Sequence, residues 1–123
     1  MTTSRPARQH PSLFRQRLEH AIQHHLDVPT FGVQELAHHL AMSRSTLYRR
    51  VQAYYDVSPC ALIRARRMQA ARALLRTEQS VTQIAFAVGY SSVQSFSTQF
   101  RDYHDRAPTE HAAACSSERV LVA

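Results

Sequence analysis

Two stretches of this chain, about 48 residues apart, carry the same spacing of apolar and small side chains. Leu36-Ala37 returns as Ile84-Ala85, Leu40 as Val88, Leu47 as Phe96 and Val51 as Phe100, provided one extra residue is admitted in the second turn. Each copy reads as a short helix, a tight turn and a longer helix. A small Ala one step after an apolar residue lets two helices cross closely, and apolar residues about ten positions further on seal the crossing. That is the spacing of a helix-turn-helix unit. One copy alone would also fit an ordinary helical hairpin; two copies in one chain narrow the choice sharply.

The rest of the sequence supports an all-α fold. Only two glycines, Gly32 and Gly89, occur in 123 residues, and strand-like alternation is absent. Leu13, Phe14, Leu18, Ile22 and Leu26 follow a helical period, with Ser12 expected as the cap and Pro29 to Gly32 as the break. Val33, Leu36, Ala37 and Leu40 mark a short second helix. Ser43 caps a third, with Leu47 and Val51 inward. Pro59 suits the first turn of a helix running to about Arg76. Ser80 with Gln83 has capping-box spacing, Gly89 supplies a left-handed stop, and Ser91 or Ser92 caps a helix carrying Phe96 and Phe100 inward. Pro108 closes the pattern ahead of a last partial helix reaching Ala114. The expected organisation is a basic arm over residues 1–10, a helical domain over 11–112 and a tail over 113–123. Within that domain one helix-turn-helix spans about 33–54, a linker helix 59–76 and a second helix-turn-helix about 81–103. The length points to one compact unit with one core.

Charge sets the partner. Fifteen arginines, no lysine and nine acidic residues leave a net charge of +6, carried wholly by guanidinium groups. Planar guanidinium forks suit phosphate and guanine edges, which favours nucleic acid, although a basic balance alone also fits a membrane surface. Between positions 43 and 76, Arg44, Arg49, Arg50, Arg64, Arg66, Arg67, Arg72 and Arg76 face the single acid Asp56. No run approaches the length of a membrane span, so a soluble, cytoplasmic protein is expected. Cys60 and Cys115 are too few and too far apart for a disulfide framework or a zinc cluster.

The run from Ser80 to Tyr90, SVTQIAFAVGY, followed by Phe96, Phe100, Arg101 and Pro108, resembles the AraC/XylS family of bacterial regulators. Leu36-Ala37, the Ser43 to Leu47 segment, and Arg67-Met68 with Ala71 and Leu75 extend the likeness, which runs from about Phe14 to Pro108. The resemblance implies about seven helices, with a central linker helix holding two helix-turn-helix subdomains so that a monomer reads two adjacent major-groove segments. It also implies transcription activation through contact with RNA polymerase. A structural role for Arg67, in an internal ion pair or a carbonyl contact, belongs to the same expectation. Departures from the family pattern fall at Asp56 and Asp105, where glycine is usual, at Gln94, and near Ala112.

In the first unit Arg44, Ser45, Tyr48 and Arg49 are expected toward double-stranded DNA, with Arg49 offering a bidentate contact to a guanine edge. Ser43 and Arg50 are assigned to the phosphate backbone. The second unit offers Val93, Gln94, Ser95, Ser97 and Thr98, where Gln94 can pair with adenine and Val93 can meet a thymine methyl group, while Ser92 and Arg101 hold phosphate. The first unit should therefore supply most base discrimination. A linker helix of about 17 residues spans roughly 25 Å, short of the 34 Å between successive grooves, so bent DNA is expected.

Other chemistry finds little support. His20, His24, His25, His38 and His39 raise the question of zinc, but no Cys or carboxylate completes a ligand spacing, and neither a metal nor a cofactor is expected. No nucleophile elbow, phosphate loop or paired carboxylates accompany the Ser, His and Asp residues, so the chain reads as a non-enzyme. No small-molecule effector pocket is evident within these residues, and the chain is either a stand-alone regulator or a fragment of a longer one. Two rival functions remain: a truncated interaction protein acting on another regulator or on the polymerase with weak DNA binding, and a non-specific architectural binder.

Overall fold

The computed structural model describes residues 11–111; the arm over 1–10, the tail over 113–123 and Ala112 lie outside the described residues. Among these, all regular structure is helical. The order is α1 (Pro11–His24), α2 (Val33–His39), α3 (Arg44–Tyr55), α4 (Pro59–Leu74), α5 (Val81–Ala87) and α6 (Val93–His104), with a further helical stretch at residues 108–111. The all-α fold read from the spacing of apolar residues is what forms.

Helix boundaries follow the side chains that satisfy end groups. Ser43 Oγ accepts from the Thr46 amide at 3.1 Å, Ser58 Oγ from Ala61 at 3.1 Å and Ser92 Oγ from Ser95 at 3.1 Å. Ser80 and Gln83 form the reciprocal capping box, at 3.1 and 2.9 Å. Glu35 makes the matching half in the first unit by accepting from the Gly32 amide at 2.9 Å. Two boundaries differ from the sequence reading. α1 spans Pro11–His24, so Ser12 falls within the helix instead of preceding it. α4 stops at Leu74, where Leu75 forms the C-cap and the Arg76 and Thr77 amides turn back to Ala73 and Leu74. Periodicity cannot see that stop, because Leu75 remains apolar and buried after the helix has ended.

The buried side chains divide into two clusters instead of the single core that length favours. One gathers Phe14, Leu18 and Ile22 of α1, Leu36 and Ala37 of α2, Leu47 and Val51 of α3, and Leu62 and Ile63 of α4. The other gathers Met68 and Ala71 of α4, Ile84 and Ala85 of α5, and Phe96 and Phe100 of α6. α4 serves both, with its first half closing the first cluster and its second half founding the next. Ala70 packs partly against each.

The repeat is consequently three helices long. Pro11, Pro59 and Pro108 each begin a helical stretch, and each of the first two is followed by a capped short helix and a Ser-capped 12-residue helix. The turns match as well. The Met42 amide reaches Ala37 O at 3.1 Å, as the Tyr90 amide reaches Ala85 O at 2.9 Å. Ala41 at φ 56° stands where the second unit has Gly89 at φ 90°, and Asp56 and Asp105 both take left-handed geometry, at φ 60° and 62°. Asp at these two C-caps preserves the turns that glycine usually makes.

Candidate nucleic-acid interface

Each cluster buries one face of a 12-residue helix and leaves the opposite face bare. On α3, Leu47 and Val51 are buried while Arg44, Ser45, Tyr48 and Arg49 are exposed. Tyr48 is 52% exposed, beside the exposed Arg44 and Arg49 on the same helix, and is available to a contact surface. On α6, Phe96 and Phe100 are fully buried while Gln94, Ser95, Thr98 and Arg101 are exposed. Ser92, Gln94, Ser95, Thr98 and Gln99 together line a shallow concavity along α6. These two faces are rich in donors and acceptors that face solvent, the chemistry that reads base edges and phosphates.

Several expected contacts are placed differently from the rest. Val93 is half-buried and packs against the second cluster, and Ser97 is half-buried beside it. Arg50 lays its guanidinium over the Phe14 ring, 5.6 Å from the centroid, which anchors its stem to α1. The hydroxyls of Ser43 and Ser92 accept from helix amides, so their side chains serve the start of each helix first. Ser43 Oγ also donates to Thr46 Oγ1 at 3.0 Å.

The arginine run between 43 and 76 separates into two populations. Arg44, Arg49, Arg64 and Arg72 are exposed. Arg66 instead grips Glu19 of α1 through two bonds of 2.8 and 2.7 Å, and Tyr55 donates to the same carboxylate at 2.8 Å. The Arg66 bonds hold the Glu19 carboxyl below its ordinary pKa despite the opposing effect of burial. Burial, then the hydrogen bond to Glu19, pushes the Tyr55 phenol up. Glu19 lies 25 residues before Arg44, where the arginine run begins, so a local charge count could not find it.

Arg67 is 7% exposed and, among the described residues, donates to three backbone carbonyls: Gly89 O at 2.7 Å, Val28 O at 3.0 Å and Phe31 O at 3.1 Å. Of the two roles the resemblance implies for Arg67, an internal ion pair or a carbonyl contact, the carbonyl contact is present. Its Nε has no hydrogen-bond partner among the described residues, and burial lowers the guanidinium pKa from its ordinary value. Tyr90, next in sequence to Gly89, is also buried and donates to Gln99 Oε1 at 2.7 Å. That bond fixes the turn against the flank of α6 and was not legible in the apolar spacing.

His20, His24, His38 and His39 are exposed, while His25 is half-buried and engaged in packing. His25 stacks on Phe31 with ring centroids 4.7 Å apart, and its Nδ1 lies 3.0 Å from Ala21 O. Among the described residues no three His, Cys, Asp or Glu side chains form a group able to hold a metal ion. No described helix is long and apolar enough to cross a membrane.

Comparison with known proteins agrees with this architecture. The family model described as a helix-turn-helix domain matches residues 36–114. The chain is 40% identical over 79 residues to a protein named probable bifunctional transcriptional activator/DNA repair enzyme AlkA of Mycobacterium tuberculosis, covering 63% of this chain and 16% of that protein. It is 35% identical over 92 residues to the HTH-type transcriptional regulator MtrA of Neisseria gonorrhoeae, covering 72% of this chain and 31% of MtrA. The chain thus spans less than a third of either relative. Among solved structures, the DNA-binding domain of AdpA in complex with a target DNA superposes with a TM-score of 0.77 at 28% identity, covering 85% of this chain and 94% of that domain. With the family model matched over most of its length and two units of the same build in its structure, the chain belongs to the AraC-type family of helix-turn-helix DNA-binding domains.

Proposed function

We propose that this chain is a sequence-specific transcription regulator that reads two adjacent major-groove segments as a monomer, with α3 and α6 as its recognition helices. The observation that carries the reading is the pairing of two Ser-capped helices, each seated on its own core and each turning a donor-rich face to solvent. Likeness to a domain solved on its target DNA supports the same assignment. α4, with 16 residues, spans roughly 24 Å at 1.5 Å per residue, so reaching successive grooves requires bent DNA.

Arg49, with Arg44, Ser45 and Tyr48, supplies base discrimination in the first unit. Gln94, Ser95 and Thr98 give the second unit a polar, uncharged reading face, with Val93 and Ser97 at its margin. Arg101, together with the amides at the starts of α3 and α6, holds phosphate. The protein acts by binding, without chemistry of its own, in the bacterial cytoplasm where the DNA lies. It activates transcription, the role that the name of the AlkA relative gives to that protein, and does so by contact with RNA polymerase.

Selection of bound sequences from a random duplex pool tests this. A two-part winning site, with discrimination at one base pair falling by about 1–3 kcal/mol in Arg49→Ala, is the expected result. Uniform weak binding abolished by salt would overturn it and favour an interaction protein acting on another regulator or the polymerase.

A further inference from the structure

We propose that Arg67 is the positioning residue that fixes the spacing of the two reading heads, so that the protein selects sites by the distance between their halves. The inference rests on the two-part reading above.

Each head has its own core, and α4 is the one helix that contributes buried residues to both. Each head packs on its own half of α4, so their relation to each other passes through that helix unless they also meet directly. They do meet directly, at a junction beside α4. One side is the loop after α1, whose Val28 and Phe31 carbonyls accept from Arg67 Nη2. The other is the α5–α6 turn, whose Gly89 carbonyl accepts from Arg67 Nη1. Gly89 also approaches the Leu26 carbonyl so closely that no Cβ fits between them. The guanidinium thus ties a loop of the first head to a turn of the second, and that turn stands three residues before the Ser92 cap of α6.

The choice of side chain argues for positioning. A desolvated cation that, among the described residues, meets carbonyls and no carboxylate and leaves Nε unbonded is a poor way to stabilise a core, where an apolar residue of similar volume would serve. A rigid fork does what an apolar side chain cannot: it fixes the direction of two separate carbonyl sets at once. DNA makes that rigidity count, since one base pair added between half-sites moves the second by about 3.4 Å and turns it by roughly 35°. Heads held in one relation reject such a site, whereas loosely joined heads accept it.

The test uses the full chain with Arg67→Met and with Arg67→Lys, which keeps the charge but not the fork. Spin labels at Ala53→Cys and Asp102→Cys, exposed positions on α3 and α6, report the distance between heads in a Cys60→Ser, Cys115→Ser background. A narrow distance distribution in the parent, broadened in either variant that retains its helical circular dichroism, is the expected result. An equal width in parent and folded variants, or a broad parent distribution, overturns the proposal; if Arg67→Met does not fold, Arg67→Lys decides. In parallel, the selected site is bound with one base pair added or removed between its halves. The parent should lose about tenfold in affinity and the variants less than about threefold, with half-site affinity within about twofold. A parent that binds half-sites only would end the two-part reading, while the label distances still decide whether Arg67 fixes the heads.

Discussion

Gly89 and Arg67 are in direct contact: the Gly89 carbonyl accepts from the Arg67 guanidinium at 2.7 Å, and a Cβ on Gly89 would collide with that same guanidinium. The backbone there is left-handed at φ 90°, which adds a penalty for any side chain. Gly89→Ala is therefore expected to destabilise the protein by about 3 kcal/mol, combining backbone strain with the displaced buried fork. Urea unfolding checks it; a loss below about 1 kcal/mol would mean the junction yields easily.

The first unit makes the same turn with the wrong residue for its geometry. Ala41 adopts φ 56°, the position that Gly89 fills in the second copy. Its side chain is exposed, so no packing opposes a change. Relief of left-handed strain outweighs the extra freedom glycine gives the unfolded chain, and Ala41→Gly should stabilise by roughly 0.5–1 kcal/mol. Thermal unfolding should show a rise in Tm of several degrees, and a fall would contradict this account.

Most of the architecture was legible because it rests on spacing. Leu47, Val51, Phe96 and Phe100 announce their helices by period, and Ser43, Ser80 and Ser92 announce where those helices begin. Gly89 was readable since a stop after a short helix calls for left-handed geometry. Ala41 was not, because an alanine gives no sign of taking it. The exposed faces of α3 and α6 follow from the same wheel that buries the core, although Val93 and Ser97 sit too near the buried edge for period alone to decide. The fate of Arg66 was hidden for another reason: its acid comes from α1, and only tertiary packing brings Glu19 to it. The division into two clusters was hidden as well, since Leu62, Ile63 and Met68 follow one continuous helical period and yet serve different cores.

The Glu19–Arg66–Tyr55 network gives stability a defined dependence on pH. The Glu19 carboxyl is lowered in the folded state, so its contribution is fully present above the unfolded pKa of about 4.3 and is lost as pH falls through the folded value. Tyr55 is raised, so its contribution holds below the unfolded pKa of about 10 and fades as pH climbs through the folded value. Glu19→Gln should flatten the acid limb of a plot of Tm against pH and leave Tyr55 with a smaller alkaline one. Because the pair is partly exposed, Arg66→Met should cost only about 1 kcal/mol at neutral pH, and less in high salt. An acid limb unchanged in Glu19→Gln would place the responsible carboxylate elsewhere.

The two reading faces differ in the kind of interaction they can make, and that difference predicts different failures. Arg49 is exposed on α3 and carries a fork able to take two acceptors of one guanine, so Arg49→Ala should lose about 1–3 kcal/mol of discrimination at one base pair. Gln94 has a similar reach toward adenine, but its hydrogen bonds are uncharged, and Gln94→Ala should cost roughly half as much. Arg101, exposed one residue past buried Phe100, faces the phosphate backbone in this reading. Arg101→Gln should weaken all sequences alike and reduce the slope of log K against log salt by about 1, with base preference unchanged. Val93, half-buried, should register mainly as lost stability when shortened to Ala. Competition binding across single-base variants of the selected site, run at several salt concentrations, separates these cases. A loss at Gln94→Ala equal to that at Arg49→Ala would show that the second head reads as strongly as the first.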